Sequence, residues 1–277
     1  MKLHIYRGFG RRKEKVPWDV THVIVDESVT KIQGGAFKGK AHLVSVIMGD
    51  NVSRIEDQAF YCCGALSFLR LSNVLEFIGE AAFSTCNSLE AVFLPSTVRR
   101  IETEAFMYCA SMKLLILPDD IDPDNVCDLI IDCNGLEHIA AASDVEYEFE
   151  SDSIFLSDES IRRVKEWLIH HMDESPFQKL CYDTSVTASK INDYLDENVP
   201  GSALHVERIH GMTPLHMLTM NPHAPADAIA ALFVSNMEAI FQSDHQERDP
   251  LDNARTYNAD GLVATIAALC NHRQTFL

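Results

Sequence analysis

Residues 78–95, IGEAAFSTCNSLEAVFLP, and residues 101–118, IETEAFMYCASMKLLILP, decide the fold of this chain of 277 residues. The second segment repeats the first after 23 residues: each opens with Ile, continues through Ala-Phe and Cys, and ends in Leu-Pro. Self-similarity at a fixed period is typical of solenoids, in which each repeat packs only against its neighbours. The two segments therefore predict a repeat protein.

Two earlier copies carry the same columns without a change of spacing. We interpret each copy as one short strand whose alternate residues point inward, then a turn, then an Ala-Phe segment packed behind the strand. Stacked copies would place the four phenylalanines in a ladder through one continuous core. The columns are Ile32, Ile55, Ile78 and Ile101; Phe37, Phe60, Phe83 and Phe106; Leu43, Leu66, Leu89 and Met112; and Val46, Leu69, Val92 and Leu115.

The pattern resembles the BspA-type leucine-rich repeat, whose signature reads I-x-x-x-A-F-x-x-C-x-x-L-x-x-V-x-L-P. The resemblance covers about residues 20–140. It implies a curved, parallel-stranded solenoid used for binding, with no catalytic residues to transfer. One copy carries it through Ile78, Ala82, Phe83, Cys86, Leu89, Val92, Leu94 and Pro95.

A second, longer repeat follows, marked by Pro176-Phe177, Pro214-Leu215 and Pro250-Leu251 at spacings of 38 and 36 residues. Proline suits the first turn of a helix. A second apolar helical stretch follows each proline, carried by Ile191, Tyr194 and Leu195, by Ile229, Ala230, Leu232 and Phe233, and by Leu262, Val263, Ile266 and Leu269.

Residues 211–216, GMTPLH, resemble the ankyrin signature G-x-T-P-L-H. The resemblance covers about residues 160–272 and implies paired helices, in which the Thr213 hydroxyl and the His216 side chain fix the turn that enters a helix. The flanking copies depart from the signature, since Phe177-Gln178 replaces Leu-His and the spacings exceed the ankyrin period of about 33 residues.

The chain is thus predicted to be an α+β multi-domain repeat protein. We divide it into a solvated basic N-terminal arm (residues 1–19), the solenoid with parallel strands (20–141), an acidic linker (142–158) and an ankyrin-like helical array (159–277). The first fifteen residues are basic, because Glu14 alone opposes six Lys and Arg residues there, whereas residues 119–159 hold fourteen Asp or Glu and no Lys or Arg. At the worn last repeat, Cys133, Leu136 and Ile139 follow the columns one residue late.

Net charge and apolar runs restrict the partners and the compartment. A formal charge of -18 repels phosphate backbones and anionic lipids, so we expect protein partners and neither nucleic acid nor membrane. The chain shows no secretory signal and no apolar run of membrane-spanning length, which predicts a cytoplasmic or nuclear location with eight reduced cysteines. The oligomeric state stays open.

The residue types that carry catalysis do not form a recognisable site. Cys63, Cys86 and Cys109 share one repeat column, so they are interpreted as stacked, buried thiols rather than zinc ligands. The twelve histidines form neither a triad pattern nor an H-E-x-x-H helix, and no Walker-type or dinucleotide-type glycine loop occurs. We therefore predict no enzyme activity, no metal and no cofactor.

The outward positions of the solenoid strands are the candidate site, because a solvated sheet face is normally polar and this one is apolar. The predicted partner-binding residues are Ile47, Phe68, Arg70, Phe93, Leu114 and Ile116. The alternative is that Tyr147, Phe149, Ile154 and Phe155 of the acidic linker fold back over this face. A secondary set on the helical array comprises His210, Met217, Glu247 and Asn253.

These features favour a non-catalytic scaffold or adaptor that binds proteins on the solenoid face and on the helical array. An alternative is a secreted or cell-surface adhesion protein, because many BspA-like chains act outside the cell. Fractionation and a thiol count would separate the two. A hydrolase that uses the histidines would need a cleft with a paired acid and base.

Overall fold

A computed structural model of the chain describes residues 1–8, 14–121, 129–145, 158–198, 201–258, 262–263 and 266. The chain divides into two compact units, Met1–His171 and Met172–Leu277. Among the described residues, no helix is both long enough and apolar enough to span a bilayer.

The first unit is a parallel β-solenoid. One sheet has the order β1 (Leu3–Tyr6), β2 (His22–Val25), β4 (Ser45–Ile47) and β6 (Phe68–Arg70). A second sheet contains β3 (Lys31–Ile32), β5 (Arg54–Ile55), β7 (Phe77–Ile78) and β9 (Arg100–Ile101), and a separate pair joins β8 (Ala91–Val92) to β10 (Leu114–Leu115). The predicted period sets the register, since Ile32, Ile55, Ile78 and Ile101 pair in turn.

The predicted aromatic ladder is confirmed. The rings of Phe37, Phe60, Phe83 and Phe106 are stacked nearly parallel, with centroids 4.9, 5.1 and 5.4 Å apart. All four side chains are fully buried. Because every repeat contributes one ring at one height, the core runs without a break along the solenoid.

Each repeat contains a turn with a left-handed residue, and hydrogen bonds near these turns join neighbouring repeats. Gly35 and the equivalent Gln58, Ala81 and Glu104 have φ of 64°, 55°, 49° and 58°. Between two such turns, the Phe37 amide donates to Ala59 O at 2.8 Å and the Phe60 amide donates to Ala82 O at 2.7 Å. Positive φ is unfavourable for residues other than glycine, and these hydrogen bonds between repeats offset that cost.

The N-terminal segment is not a solvated arm over the residues that the structure describes. Strand β1 pairs in parallel with β2, with Leu3 opposite His22 and Tyr6 opposite Val25. Tyr6 is fully buried, and its ring lies 5.0 Å from that of Phe37, at the start of the aromatic ladder. The basic residues around β1 concealed the short apolar-polar alternation that marks a strand.

The other end of the solenoid closes with helices. The worn last repeat forms helix α1 (Asn134–Ala141) instead of a strand, and Leu136 remains in the core. Helix α2 (Asp158–His170) also belongs to the first unit, because the Leu117 amide donates to Leu168 O at 3.0 Å and Leu168 is buried in the same core. The unit boundary therefore lies after His171, not at residue 159.

The second unit is helical. It contains α3 (Pro176–Tyr182), α4 (Ala188–Glu197), α5 (Pro214–Met220), α6 (Ala226–Ser235) and α7 (Pro250–Tyr257), with 3₁₀ helices at Ser202–Leu204 and Met237–Phe241. Helices α3, α5 and α7 each begin at the predicted proline. Leu262, Val263 and Ile266 are helical, and Leu269 lies outside the described residues.

The helices of this unit form stacked pairs. Helix α5 lies against both α3 and α7, and α4 lies against α6. Asparagine side chains join successive pairs: Asn221 Nδ2 donates to Cys181 O at 3.0 Å, and Asn258 Nδ2 donates to Asn221 O at 2.9 Å. The polar contacts thus recur from pair to pair, as in a repeat array.

Candidate functional site

An exposed aliphatic column crosses the first sheet. The register places Ile5 beside Ile24, Ile24 beside Ile47, and Ile47 beside Arg70. The three isoleucines are 40%, 41% and 38% exposed. They are exposed because their neighbours along each strand, such as Val23 and Val46, take the inward positions. We call Ile5, Ile24, Ile47 and Arg70 the aliphatic column.

A second outward column lies beside the first. It contains Leu3, His22, Ser45 and Phe68, which pair in turn across the same strands. Leu3 is exposed and Phe68 is half-buried. The His22 ring is held by the Thr21 hydroxyl, with Nδ1 and Oγ1 2.8 Å apart. The outer face of the first sheet is therefore mainly apolar, and His22 and Ser45 are the polar residues between Leu3 and Phe68 in this column.

Arg70 ends the aliphatic column and is fixed by its neighbours. Its Nη1 donates to Met48 O at 2.9 Å, and its Nη2 lies 3.7 Å from Asp50 Oδ1. Both partners follow strand β4, so the guanidinium bridges two repeats. Arginine is one of the residue types enriched at binding hot spots, and this guanidinium is half-buried and already oriented.

The second sheet provides an internal comparison. Its outward column is Lys31, Arg54, Phe77 and Arg100. Arg54 and Arg100 form ion pairs with Glu56 and Glu102, and the Arg54 guanidinium lies 3.8 Å from the centroid of the Phe77 ring. This face is mostly charged and locally neutralised, as a solvated face should be, whereas the first sheet is not.

Three predicted site residues are buried, so they do not form an accessible surface with the aliphatic column. Phe93, Leu114 and Ile116 are 2%, 1% and 5% exposed. For Ile116 one physical reason is helix α2, which meets the chain at the next residue through the hydrogen bond from the Leu117 amide to Leu168 O. The prediction of an apolar strip running the whole length of the sheet is therefore wrong at these three positions. Tyr147, Phe149, Ile154 and Phe155, the predicted alternative cover, lie outside the described residues.

The secondary set does not form a surface either. Met217 and Asn253 are fully buried, because α5 lies between α3 and α7, and Asn253 is on the buried side of α7. His210 is buried beside Glu207, with Nδ1 and Oε1 3.1 Å apart. Glu247 alone of the four is exposed, in a left-handed turn with φ of 59°.

Glu207 organises the turn that contains His210. Its carboxylate accepts hydrogen bonds from the backbone amides of Ile209, His210 and Met212 at 2.7, 2.6 and 3.3 Å. Burial acts to raise the pKa of Glu207, but the hydrogen bonds from His210 and the backbone outweigh it and hold that pKa below its ordinary value. The contact between Glu207 and His210 thus stabilises a buried turn. Neither side chain lies in an open cleft where it could act as a general base.

The thiol column is structural, as predicted. Cys63, Cys86 and Cys109 are fully buried, and their Sγ atoms donate to Phe37 O, Phe60 O and Phe83 O at 3.1, 3.3 and 3.2 Å. Burial raises the pKa of Cys63 and Cys109 to about 12, so both stay protonated and unreactive near neutrality. Within the described residues, no group of three or more His, Cys, Asp or Glu side chains could hold a metal ion.

His216 has the predicted capping role. The Thr213 amide donates to His216 Nδ1 at 3.2 Å, and Thr213 Oγ1 accepts from the His216 amide at 3.4 Å. His216 Nε2 lies 3.1 Å from Arg248 O, so the ring is neutral with its proton on Nε2. Burial lowers the pKa of His216 and keeps it in this form.

Sequence reasoning missed two exposed residues of the face, Leu3 and Ile5. Both belong to β1, which was assigned to the basic arm. The available signal was the four-residue alternation Leu3, His4, Ile5, Tyr6, in which every second side chain is aliphatic.

Parallel strands that recur every 23 residues are typical of a known repeat family. The family model described as BspA type Leucine rich repeat region (6 copies) matches residues 17–123. These residues are a BspA-type leucine-rich-repeat region. The aliphatic column therefore lies on the strand face of the leucine-rich repeats and of the extra strand β1 before them.

Part of the chain is also similar to proteins of known structure. The leucine-rich-repeat protein of T. pallidum is 25% identical over 42% of this chain and 56% of its own, with a TM-score of 0.38. A leucine-rich cell-surface protein of Faecalibacterium prausnitzii A2-165 is 26% identical over 44% of this chain and 32% of its own, with a TM-score of 0.41. The chain thus spans about a third to just over half of these structures. Among curated proteins none matches it.

Proposed function

We propose that this chain is a non-catalytic protein-binding scaffold whose leucine-rich-repeat region holds a partner on the aliphatic column. The observation that carries the proposal is the alignment of three exposed isoleucines with the fixed guanidinium of Arg70. Aliphatic side chains at solvent positions stabilise the fold little, and contiguous apolar surface of this kind typically marks an interface.

The geometry favours a partner with an apolar ridge and a hydrogen-bond acceptor at one end. The ridge would remove Ile24 and Ile47 from water, with a gain of roughly 25 cal/mol per Å² of apolar surface covered. The acceptor would meet Arg70, whose Nη2 is held only loosely by Asp50 at 3.7 Å. Arginine binds planar carboxylates well, so an Asp or Glu side chain or a chain terminus of the partner fits that position.

For the second unit we propose an ankyrin-like array with a secondary binding role. The support is the capping geometry of Thr213 and His216 and the side-by-side arrangement of α3, α5 and α7. Of the residues first considered for this role, Glu247 is the accessible one, so the turn around it is the place to probe. A partner that binds there would do so independently of the aliphatic column.

We further propose that the protein works in the cytoplasm or nucleus. The support is that the fold uses its column cysteines as thiols, each donating to a carbonyl of the preceding repeat. A cell-surface recognition role is the alternative. Fractionation of the native protein together with a thiol count tests the proposal, because paired cysteines in a surface fraction would replace it with the alternative.

The binding proposal is tested by capture from a lysate of cells that express the protein. The double variant Ile24→Glu with Ile47→Glu places two charges on the column and should lose specific partners. The matched control is Val74→Glu, because Val74 is also exposed (43%) but lies in the turn after β6 rather than on a strand. Circular dichroism should show the same fold for all three proteins. Identical capture by the double variant and the control would rule out the column as the binding surface.

A further inference from the structure

Strand β1 leaves one edge of the first sheet open. Lys2 O accepts from the His22 amide at 3.1 Å, and Tyr6 O accepts from the Asp26 amide at 2.8 Å. Backbone groups alternate sides along a strand, so residues 2, 4 and 6 face β2 while Leu3 and Ile5 face away from it. Among the described residues, the amide and carbonyl groups of Leu3 and Ile5 have no hydrogen-bond partner.

The chain closes the neighbouring part of this edge with a side chain. The Glu14 carboxylate accepts from the amides of Arg7 and Gly8 at 2.8 and 2.9 Å, and its other oxygen lies 3.0 Å from His4 Nε2. As far as the described residues extend, the edge is thus capped where β1 ends and open at Leu3 and Ile5. Both open positions also carry exposed aliphatic side chains, Leu3 at 55% and Ile5 at 40%.

We propose that this open edge accepts an extended segment of a partner protein as an added strand. The segment would pair with the free amide and carbonyl groups of Leu3 and Ile5, as in other cases of strand addition to a sheet edge. Its alternate outward residues are aliphatic, because they continue the row formed by Ile5, Ile24 and Ile47.

Charge defines the flanks of the segment. Arg7 and Lys2 are exposed at the two ends of β1, with Lys2 in an ion pair with Asp19, and residues 1–15 carry six Lys or Arg against Glu14 alone. This is the basic end of a chain whose net charge is -18. The fitting partner is therefore a short extended peptide with aliphatic residues at alternate positions and acidic residues on either side.

This inference goes beyond the proposed function and fails separately from it. A ligand on the aliphatic column contacts side chains on the face of the sheet, whereas an added strand contacts backbone groups at its edge. Ile47→Glu disturbs the first and leaves the second intact. Ile5→Pro changes the edge and the Ile5 end of the aliphatic column but leaves Ile24, Ile47 and Arg70 in place. Ile5→Thr also removes the Ile5 side chain from the column, so comparing these two variants isolates the loss of the edge amide.

The test uses the full chain and a fluorescent peptide of alternating isoleucine and threonine with two aspartates at each end. Ile5→Pro removes an amide that points to the open edge, and it keeps every hydrogen bond between β1 and β2. Ile5→Thr is the control, because threonine keeps the amide and the strand preference. Ile5→Pro should weaken peptide binding by about tenfold, because one hydrogen bond between the peptide and the edge is lost and the pairing of the two strands is disturbed. Ile5→Thr should weaken it much less.

Two further arms keep the test decisive. A peptide with lysine flanks should bind more weakly than the acidic one, and Ile47→Glu should bind the acidic peptide as the original chain does. Hydrogen exchange supplies a readout that needs no variant: the acidic peptide should slow exchange at the Leu3 and Ile5 amides.

Three outcomes would overturn the inference. These are no binding of the acidic peptide, equal binding by Ile5→Pro and Ile5→Thr, or protection of the Leu3 and Ile5 amides that rises with protein concentration before any peptide is added. The last outcome would mean that a second copy of the chain occupies the edge. Loss of peptide binding in Ile47→Glu alone would place the peptide on the face and leave the proposed function standing.

Discussion

Ile47 and Ile116 occupy the same position of the repeat, three periods apart, yet the first is 38% exposed and the second 5%. Ile47 ends strand β4 and Ile116 directly follows β10, and the inward residues before them, Val46 and Leu115, are both buried in the core that contains the aromatic ladder. The difference therefore does not come from the repeat. It depends on what lies over the face, and helix α2 reaches the chain beside Ile116.

The comparison shows that a solenoid determines its interior and its outer face by different means. Interior positions are fixed by stacking of each repeat on the next, so one sequence column predicts one environment. Outward positions are fixed by segments that do not repeat, so the same column holds an accessible Ile24 and a buried Phe93. The candidate binding surface is accordingly the half of the face that strands β1, β2, β4 and β6 form.

The largest expected effect tests the shared interior. Phe60→Ala removes a ring below the exposed half, and Phe83→Ala removes the next ring along the ladder. Each should lower the free energy of unfolding by about 3–5 kcal/mol, as large-to-small changes at fully buried aromatic positions do. Chemical denaturation followed by circular dichroism measures both. A cost below about 1 kcal/mol for Phe60→Ala alone would show that the two halves differ in their interior as well.

The next prediction compares the exposed and the covered half of the strand face by making the same substitution at equivalent positions of the repeat. Ile116→Ala should cost about 2–4 kcal/mol because the side chain is buried, and Ile47→Ala should cost less than about 1 kcal/mol because water already reaches it. The same denaturation experiment compares them directly. Equal costs would mean that Ile47 is covered in solution, which would remove the basis for a binding surface there.

A third test compares the stability contribution of a buried thiol below the exposed half of the face with that of one below the covered half. Cys63→Ala and Cys109→Ala each delete a buried thiol and its hydrogen bond to a carbonyl, with an expected cost of about 1–2 kcal/mol. Burial raises the pKa of both thiols to about 12 in the folded chain. An unfolded thiol titrates near pH 8.5.

The sign of the pH effect follows from that difference. Ionisation of the unfolded thiols stabilises the unfolded state, so the contribution of each cysteine is complete below about pH 8.5 and is lost as the pH rises towards 12. Unfolding free energies at pH 7 and pH 10 should therefore differ less in Cys63→Ala and Cys109→Ala than in the original chain. An unchanged pH slope in one variant alone would show that one thiol is solvated.

Much of the interior could be predicted from sequence because each column repeats one physical requirement. The phenylalanine ladder, the stacked cysteines and the three helices that begin with proline are where the sequence placed them. Each needs only local geometry and its equivalent in the next repeat. Thr213 and His216 could be predicted for the same reason, since the cap lies within four residues.

The rest required knowledge of non-local neighbours. Nothing in the alternation around Phe93 or Ile116 indicates that the face above them is covered, and helix α2 was assigned to the second unit. Met217 was predicted to be an outward residue of its helix, but α5 has a helix on either side. The strand at Leu3–Tyr6 was missed because the charge of its surroundings outweighed a four-residue pattern.

The smallest expected effect lies at Arg70, where the exposed half of the face ends. Arg70→Met would extend the aliphatic column and remove the hydrogen bond to Met48 O and the contact with Asp50. Because the side chain is half-buried and the ion pair is long, the stability change should stay within about 1 kcal/mol in either direction.

The functional change should be larger, since the guanidinium is the only positive charge on the aliphatic column as defined by its four residues. A partner that uses it should bind Arg70→Met more weakly at low salt, with the difference shrinking as ionic strength rises. Association rates measured at two salt concentrations decide the matter: equal rates would mean that the partner contacts isoleucines alone, and the polar end of the proposed surface would have to be abandoned.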